Sequence, residues 1–215
     1  VDSSFVLTAV LTHPLQPGST YEIRAAHPDF PAVRAVQIMP ADFQIDSARV
    51  KYNAVPGEFG DRIDLAEVFF QDQPGVKNYY EVKLFKLFYE TRYDPQTGEM
   101  DTLGVVENAV YVDGYNDPNV QAGFYNGGLI SDQFFDGQTY KFQARFDSQS
   151  YGTADSSIVV RVRHVTEDYF KWSRSYEANY EVDENPLVEP VSIYHNLENG
   201  LGIFSVSNRK DIEIH

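Results

Sequence analysis

The residues of this chain best suited to chemistry gather between Asp113 and Asp132. Asp113, Asn116, Asp117 and Asn119 offer hard oxygen ligands at close spacing, a set of the kind that holds calcium. The stretch lacks the alternating acids and distal Glu of a calcium loop, and Asx residues beside Gly114 and Pro118 also form turns. Asp113 and Asp117 are the candidate metal ligands, with turn formation as the competing role. The same stretch carries Tyr115, Phe124 and Tyr125 among Asn116, Asn126, Gly127 and Gly128. Rigid rings beside adaptable amides make a recognition surface for a glycan or a peptide. Phe124 and Tyr125 could equally pin the loop to the core, and both readings stand. The candidate binding residues are Tyr115, Asn116, Phe124 and Tyr125.

Other chemistries have less to stand on. His13, His27, His164, His195 and His215 are too scattered for metal spacing. Ser150, Ser156 and Ser205 lack the Gly-x-Ser-x-Gly context of a nucleophile elbow. Carboxylates abound, but the separation that makes a glycosidase pair is not a property of sequence. No catalytic residue and no cofactor is assigned, and a hydrolase is the lesser reading.

The elements that must position these residues are strands. Alternation marks Phe5–Leu11, Tyr21–Ala25, Val33–Met39, Ala48–Tyr52, Arg62–Gln71, Asn78–Tyr93, Val105–Val112, Tyr140–Phe146 and Ile158–Val162. Asp94-Pro-Gln-Thr-Gly98 is a turn with Asp first, Pro second and a Gly free to take positive φ. In the long strand, Tyr80, Val82 and Leu84 share one parity while Phe85, Leu87 and Tyr89 share the other. Such a phase slip predicts a β-bulge near Leu84–Lys86. Asp113–Asp132 reads as one long loop. The period then changes: Tyr169, Trp172, Tyr176 and Tyr180 recur at helical spacing, predicting a helix over about 166–181 with that stripe inward. Thr166 caps it, and Asn185-Pro186 lies beyond its end. Leu201–Val206 and Asp211–Ile214 close the chain as short strands.

The predicted fold is mainly β: an antiparallel β-sandwich over 41–215 with one helix in its C-terminal region. Residues 1–40 are expected to be the last strands of an immunoglobulin-like domain whose start lies upstream of Val1, or strands added onto the main domain.

Composition supports an exported β protein. The 15 Tyr and 15 Phe suit half-buried pleated surfaces. There are no cysteines, so disulfides, zinc thiolates and cysteine nucleophiles are excluded within the chain. A net charge of −15, from 32 acidic and 17 basic residues, repels phosphate backbones and argues against nucleic acid. It also disfavours lying flat on anionic lipid. No apolar run approaches the roughly 20 residues a spanning helix needs.

Several landmarks occur in order. They are Pro17-Gly-Ser-Thr-Tyr-Glu-Ile23, Met39-Pro40, Pro74-Gly-Val-Lys-Asn-Tyr-Tyr80, Ser131-Asp-Gln-Phe-Phe-Asp-Gly137 and Asp168-Tyr-Phe170. Asn185-Pro186, Glu189-Pro190, Ile193, Asn196 and Asn199-Gly-Leu-Gly-Ile-Phe204 follow. With them the chain resembles the Bacteroidota outer-membrane lipoprotein family catalogued as domain of unknown function 4249. The resemblance implies an exported, cell-surface outer-membrane lipoprotein held by an acylated N-terminal Cys that this chain does not contain. It implies a non-catalytic accessory role beside a SusC-like TonB-dependent transporter, or another outer-membrane barrel, in ligand capture or uptake. A stand-alone glycan- or peptide-binding module, or an accessory subunit of an outer-membrane biogenesis or secretion complex, is the alternative. The family carries no established catalytic residues to transfer.

Overall fold

The computed structural model describes residues 13–57, 60–115, 117–123, 127–147, 157–183 and 191–214. The predicted strand Phe5–Leu11 lies outside them. β1 (Thr20–His27) and β2 (Phe30–Ile38) form a two-stranded antiparallel hairpin. β3 (Gln44–Pro56), β4 (Arg62–Gln71), β10 (Thr139–Phe146) and β7 (Val112–Tyr115) form a four-stranded sheet in the order β3-β4-β10-β7. The other sheet runs β12 (Ser207–Ile214), β11 (Ile158–Val165), β5 (Tyr79–Asp94), β9 (Gly127–Ser131) and β8 (Gln121–Gly123), with β6 (Glu99–Ala109) also paired to β5. All the pairings are antiparallel.

Alternation explains the layering. Ala66, Val68 and Phe70 of β4 and Tyr140, Phe142, Ala144 and Phe146 of β10 point inward from one sheet. Tyr80, Val82 and Leu84 of β5 and Ile158, Val160 and Val162 of β11 meet them from the other. One face of each strand is spent on this core, which makes the fold a mainly β antiparallel sandwich.

The outer face of the second sheet is covered too, by α1 (Glu167–Asp183). Tyr79, Leu129, Val165 and Phe170 form a second buried cluster under the helix, with Tyr169 packed against it. The inward helical face is thus Phe170 and the fully buried Ser173, beside a half-buried Tyr169. The expected inward stripe is only partly realised, because Tyr180 is 59% exposed. The helix lies across a sheet, and the position of Tyr79 and Val165 decides which stripe is covered.

Two further expectations are corrected. The predicted bulge at Leu84–Lys86 is absent: β5 pairs with β11 without a break from Tyr79 to Lys86, and with β6 without a break from Phe85 to Glu90. The outward parity is apolar without entering the core: the Phe85 ring lies under the Arg161 guanidinium at 4.3 Å, Leu87 is buried and Tyr89 is 46% exposed. The register shift falls between Glu90 and Thr91, opposite Leu103. Asp113–Asp132 is not one loop. β7 pairs with β10 in one sheet, and β8 and β9 pair in the other, so the segment carries the chain between sheets. Gly127 and Gly128 make this possible: a Cβ at Gly128 would sit 2.6 Å from the Phe142 ring, and one at Gly127 2.8 Å from the Lys83 side chain. At the C-terminus, the strand is Ser207–Ile214, and Ile203–Val206 runs outside any strand.

Candidate functional site

Asn116, Phe124 and Tyr125, three of the predicted recognition residues, lie outside the described residues, as do the side chains of Asp113 and Tyr115 on β7. Asp117 is described. Its carboxylate accepts hydrogen bonds from the Asn119 N–H (2.7 Å) and from the Tyr140 hydroxyl (2.5 Å), so it closes an Asx turn over a core tyrosine.

A different trio of carboxylates converges elsewhere. Oxygens of Asp72, Asp132 and Asp136 all lie within 4.8 Å of one another, at the end of β4 and around the 3₁₀ turn Asp132–Phe134. Asp72 accepts from the Asn78 side chain (3.1 Å), the Tyr80 hydroxyl (2.6 Å) and the Gly137 N–H (2.8 Å). Asp132 accepts from the Asn78 N–H (2.6 Å), and Asp136 from the Gly75 N–H (2.8 Å). Burial raises the Asp132 carboxyl above its ordinary value; the Asn78 N–H opposes this, and the Asp72 and Asp136 charges reinforce it. Three hard oxygens at this spacing can share a proton or a divalent cation. Their donors also give them a structural job: they clasp the β4–β5 loop to the loop before β10. The trio was invisible in sequence because Asp72 stands 60 or more positions before Asp132 and Asp136; the landmarks Pro74–Tyr80 and Ser131–Gly137 were the available signal.

Two open grooves flank the first turns of α1. One is a groove of about 550 Å³ between β5, β8 and the helix. Its floor is the pair Tyr79 and Phe170, with ring centres 4.7 Å apart and planes tilted by 41°. The Tyr79 hydroxyl donates to Glu167 Oε1 (2.8 Å), and burial raises its pKa. Lys171 and Lys77 also approach Glu167 Oε1, at 3.4 and 3.9 Å. The Tyr79 hydrogen bond, then Lys171 and Lys77, hold the Glu167 carboxyl below its usual range. Arg174 lies 5.8 Å from the Phe170 ring centre and makes no ion pair with a described residue. Tyr194 forms a third aromatic wall. Its N–H donates to Ser175 Oγ (2.8 Å), its hydroxyl donates to Asp168 (2.6 Å), and Lys171 sits 5.7 Å from its ring centre. The bond to Asp168 pushes the Tyr194 pKa up to about 12. Gln121 and Ser131, from the stretch predicted to be a recognition loop, line the same groove. A second groove, about 610 Å³, adjoins it beyond Lys77, Tyr79 and Glu167, against Val36 and Ile38 of β2.

The family landmarks position this region. Asp168, at the start of the helix, accepts from Tyr194, from Asn196 (3.0 Å) and from Gln37 of β2. Asn196 in turn brackets Phe204, donating to its carbonyl and accepting from its N–H, each at 2.9 Å. Asn199 at φ 57° and Gly202 at φ 123° make the tight return that this requires. Glu198 exchanges backbone hydrogen bonds with Arg34. Residues that look like a signature in sequence thus form one polar knot joining β2, the helix start and the last strand.

Beneath the helix, Glu81 is a buried carboxylate held by Arg163, by the Tyr169 hydroxyl (2.7 Å) and by Lys83 (3.4 Å). On the far sheet, Glu67 is 1% exposed and sits among Arg49, Lys141 and Lys51, at 2.6 to 2.8 Å. Burial raises its pKa, but Lys141, Lys51 and Arg49 outweigh that and hold it at about 2. His164 stacks on Tyr80 (4.9 Å) and donates Nδ1–H to the Ala41 carbonyl (3.0 Å); burial pushes its pKa down. These buried ionisable groups are all taken up by protein partners.

Fold and site together describe an antiparallel sandwich with a filled interior and open, amphipathic grooves on its helical side. The chain belongs to the family described as Domain of unknown function (DUF4249), which matches residues 2–213. No curated protein and no solved structure matches the chain.

Proposed function

We propose that this chain is an exported, surface-exposed outer-membrane lipoprotein of the Bacteroidota, serving as a non-catalytic accessory partner of a SusC-like TonB-dependent transporter in ligand capture or uptake. The observation that carries the partner role is the far end of the β5–β6 hairpin. Past Leu87 the hairpin leaves the sandwich, and both its faces are in solvent. Tyr93, Met100, Leu103 and Val105 are each more than half exposed. A two-stranded hairpin is marginal by itself, and a contiguous apolar patch on such an arm marks a protein contact. A net charge of −15 works against a second copy as the occupant. Glu90, Asp94, Glu99 and Asp101 border the patch and call for a partner that is apolar in its centre and basic at its rim.

Affinity purification of the tagged chain from native outer membranes in mild detergent tests this. A TonB-dependent barrel in stoichiometric amount is the expected result, and it should be lost in a Tyr93→Ser/Met100→Ser/Leu103→Ser variant. Recovery as a free monomer would count decisively against the proposal. Recovery with a barrel-assembly or secretion complex would move the same arm to the alternative role. The groove beside α1 favours a second reading, a ligand-binding module, which a partner does not exclude.

A further inference from the structure

We propose that the groove beside α1 binds a carboxylate on a small polar body, with Arg174 and Lys171 as its receptors. The local charge is the first reason. The chain has 32 acidic and 17 basic residues, yet the groove walls hold three cations, Lys77, Lys171 and Arg174, against the single acid Glu167. A sign reversal of this kind, set in an otherwise repelling field, concentrates anions at one place. The second reason is availability. Glu167 Oε1 occupies Lys77 and Lys171 together, while among the described residues the Arg174 guanidinium has the Phe170 ring beside it and no ion pair. A planar guanidinium accepts a carboxylate in a two-pronged contact, and Lys171, one helical turn before it, adds a point charge on the same face. The third reason is the opposite wall. Gln121, Ser131 and Gln133 present amides and a hydroxyl, which suit a ligand body rich in hydroxyls or peptide groups. The volume of about 550 Å³ suits one or two sugar or amino-acid residues. Tyr194 is held by Ser175 and Asp168, so its side of the groove is formed in advance.

This inference uses no residue of the hairpin arm, and its outcome is independent of any barrel partner. Titration calorimetry on the purified chain at low salt tests it, with digalacturonate and N-acetyl-dialanine as acidic probes and a neutral digalactoside as control. At least one acid should bind, the neutral sugar should not, and affinity should fall as salt is raised. Which acid binds distinguishes a saccharide from a peptide carboxylate. Lys171→Ala/Arg174→Ala should weaken binding by roughly 30-fold or more, with an unchanged melting temperature confirming that the variant is folded. Binding of neither acid at millimolar concentration, equal binding of the neutral sugar, or an unaffected double variant would each overturn the proposal.

Discussion

Strand β5 lives in two environments. From Tyr79 to Leu87 it is the busiest strand of the molecule: Tyr80, Val82 and Leu84 enter the sandwich core, while Tyr79 and Glu81 meet the helix layer. From Tyr89 onward the same strand alternates two tyrosines with Glu90, Thr91, Arg92 and Asp94 and is largely exposed. Tyr89 and Tyr93 are exposed where Tyr79 and Tyr80 are buried, and what differs among the described residues is the supply of neighbours. The first half has β11 on one edge and β9 on the other, and among the described strands the second half has only β6. Among the described residues nothing covers Tyr89, Tyr93, Met100 and Val105, and this exposure is what the proposed partner contact rests on.

The contrast can be broken by mutation. Tyr80→Ala, in the packed half, removes a fully buried ring and the hydroxyl donor to Asp72, and should cost about 4 kcal/mol in denaturant unfolding. Acid sharpens the same contrast on the sheet facing it. The Glu67 pKa is depressed from 4.5 to about 2, so the folded state binds this proton less readily than the unfolded state. Its stabilisation is complete above pH 4.5 and is lost as pH falls toward 2, an effect of about 3 kcal/mol. Glu67→Gln should flatten that part of the stability–pH curve. Arg163→Ala leaves Glu81 with Tyr169 and Lys83 alone under the helix, and a loss of about 2 kcal/mol is expected. In the bare half, Tyr93→Ser or Met100→Ser should shift stability by less than about 0.5 kcal/mol while weakening recovery of a barrel partner. Cooperative unfolding caused by the Tyr93 variant would show that the arm belongs to the core and would erase the distinction.

Much of the frame was legible. Tyr140–Phe146 alternates cleanly because only one of its faces meets the core, and the Asp94–Gly98 turn forms as its residue types require, with Gly98 at φ 77° and the Asp94 side chain on the Gln96 N–H. The errors share a cause. In the apparent phase slip of β5 and the apparent loop at Asp113–Asp132 alternation is hidden, because Phe85 and Leu87 are apolar on the outward parity too and β7, β8 and β9 are too short to display a period. The helical stripe is only partly inward for a related reason, since the sheet beneath the helix also covers Phe170 and Ser173, which the aromatic spacing does not mark. The candidate site was less legible still. Gln121 and Ser131 came from the stretch singled out for recognition and Lys77 from a family landmark, but Lys171, Arg174 and Tyr194 carried no local mark.

By itself the sequence determined the strand-rich class, the helix at about 166–181, the turns, the acidic field and the family, because alternation, turn chemistry and charge are properties of neighbouring residues. Only the tertiary structure decided that Asp72 joins Asp132 and Asp136, that Asp168 binds Gln37 and Asn196, and that three cations meet over Tyr79 and Phe170. Those meetings depend on which strand edges and faces pair across long stretches of chain, and that choice is made by packing, which no short window of residues contains.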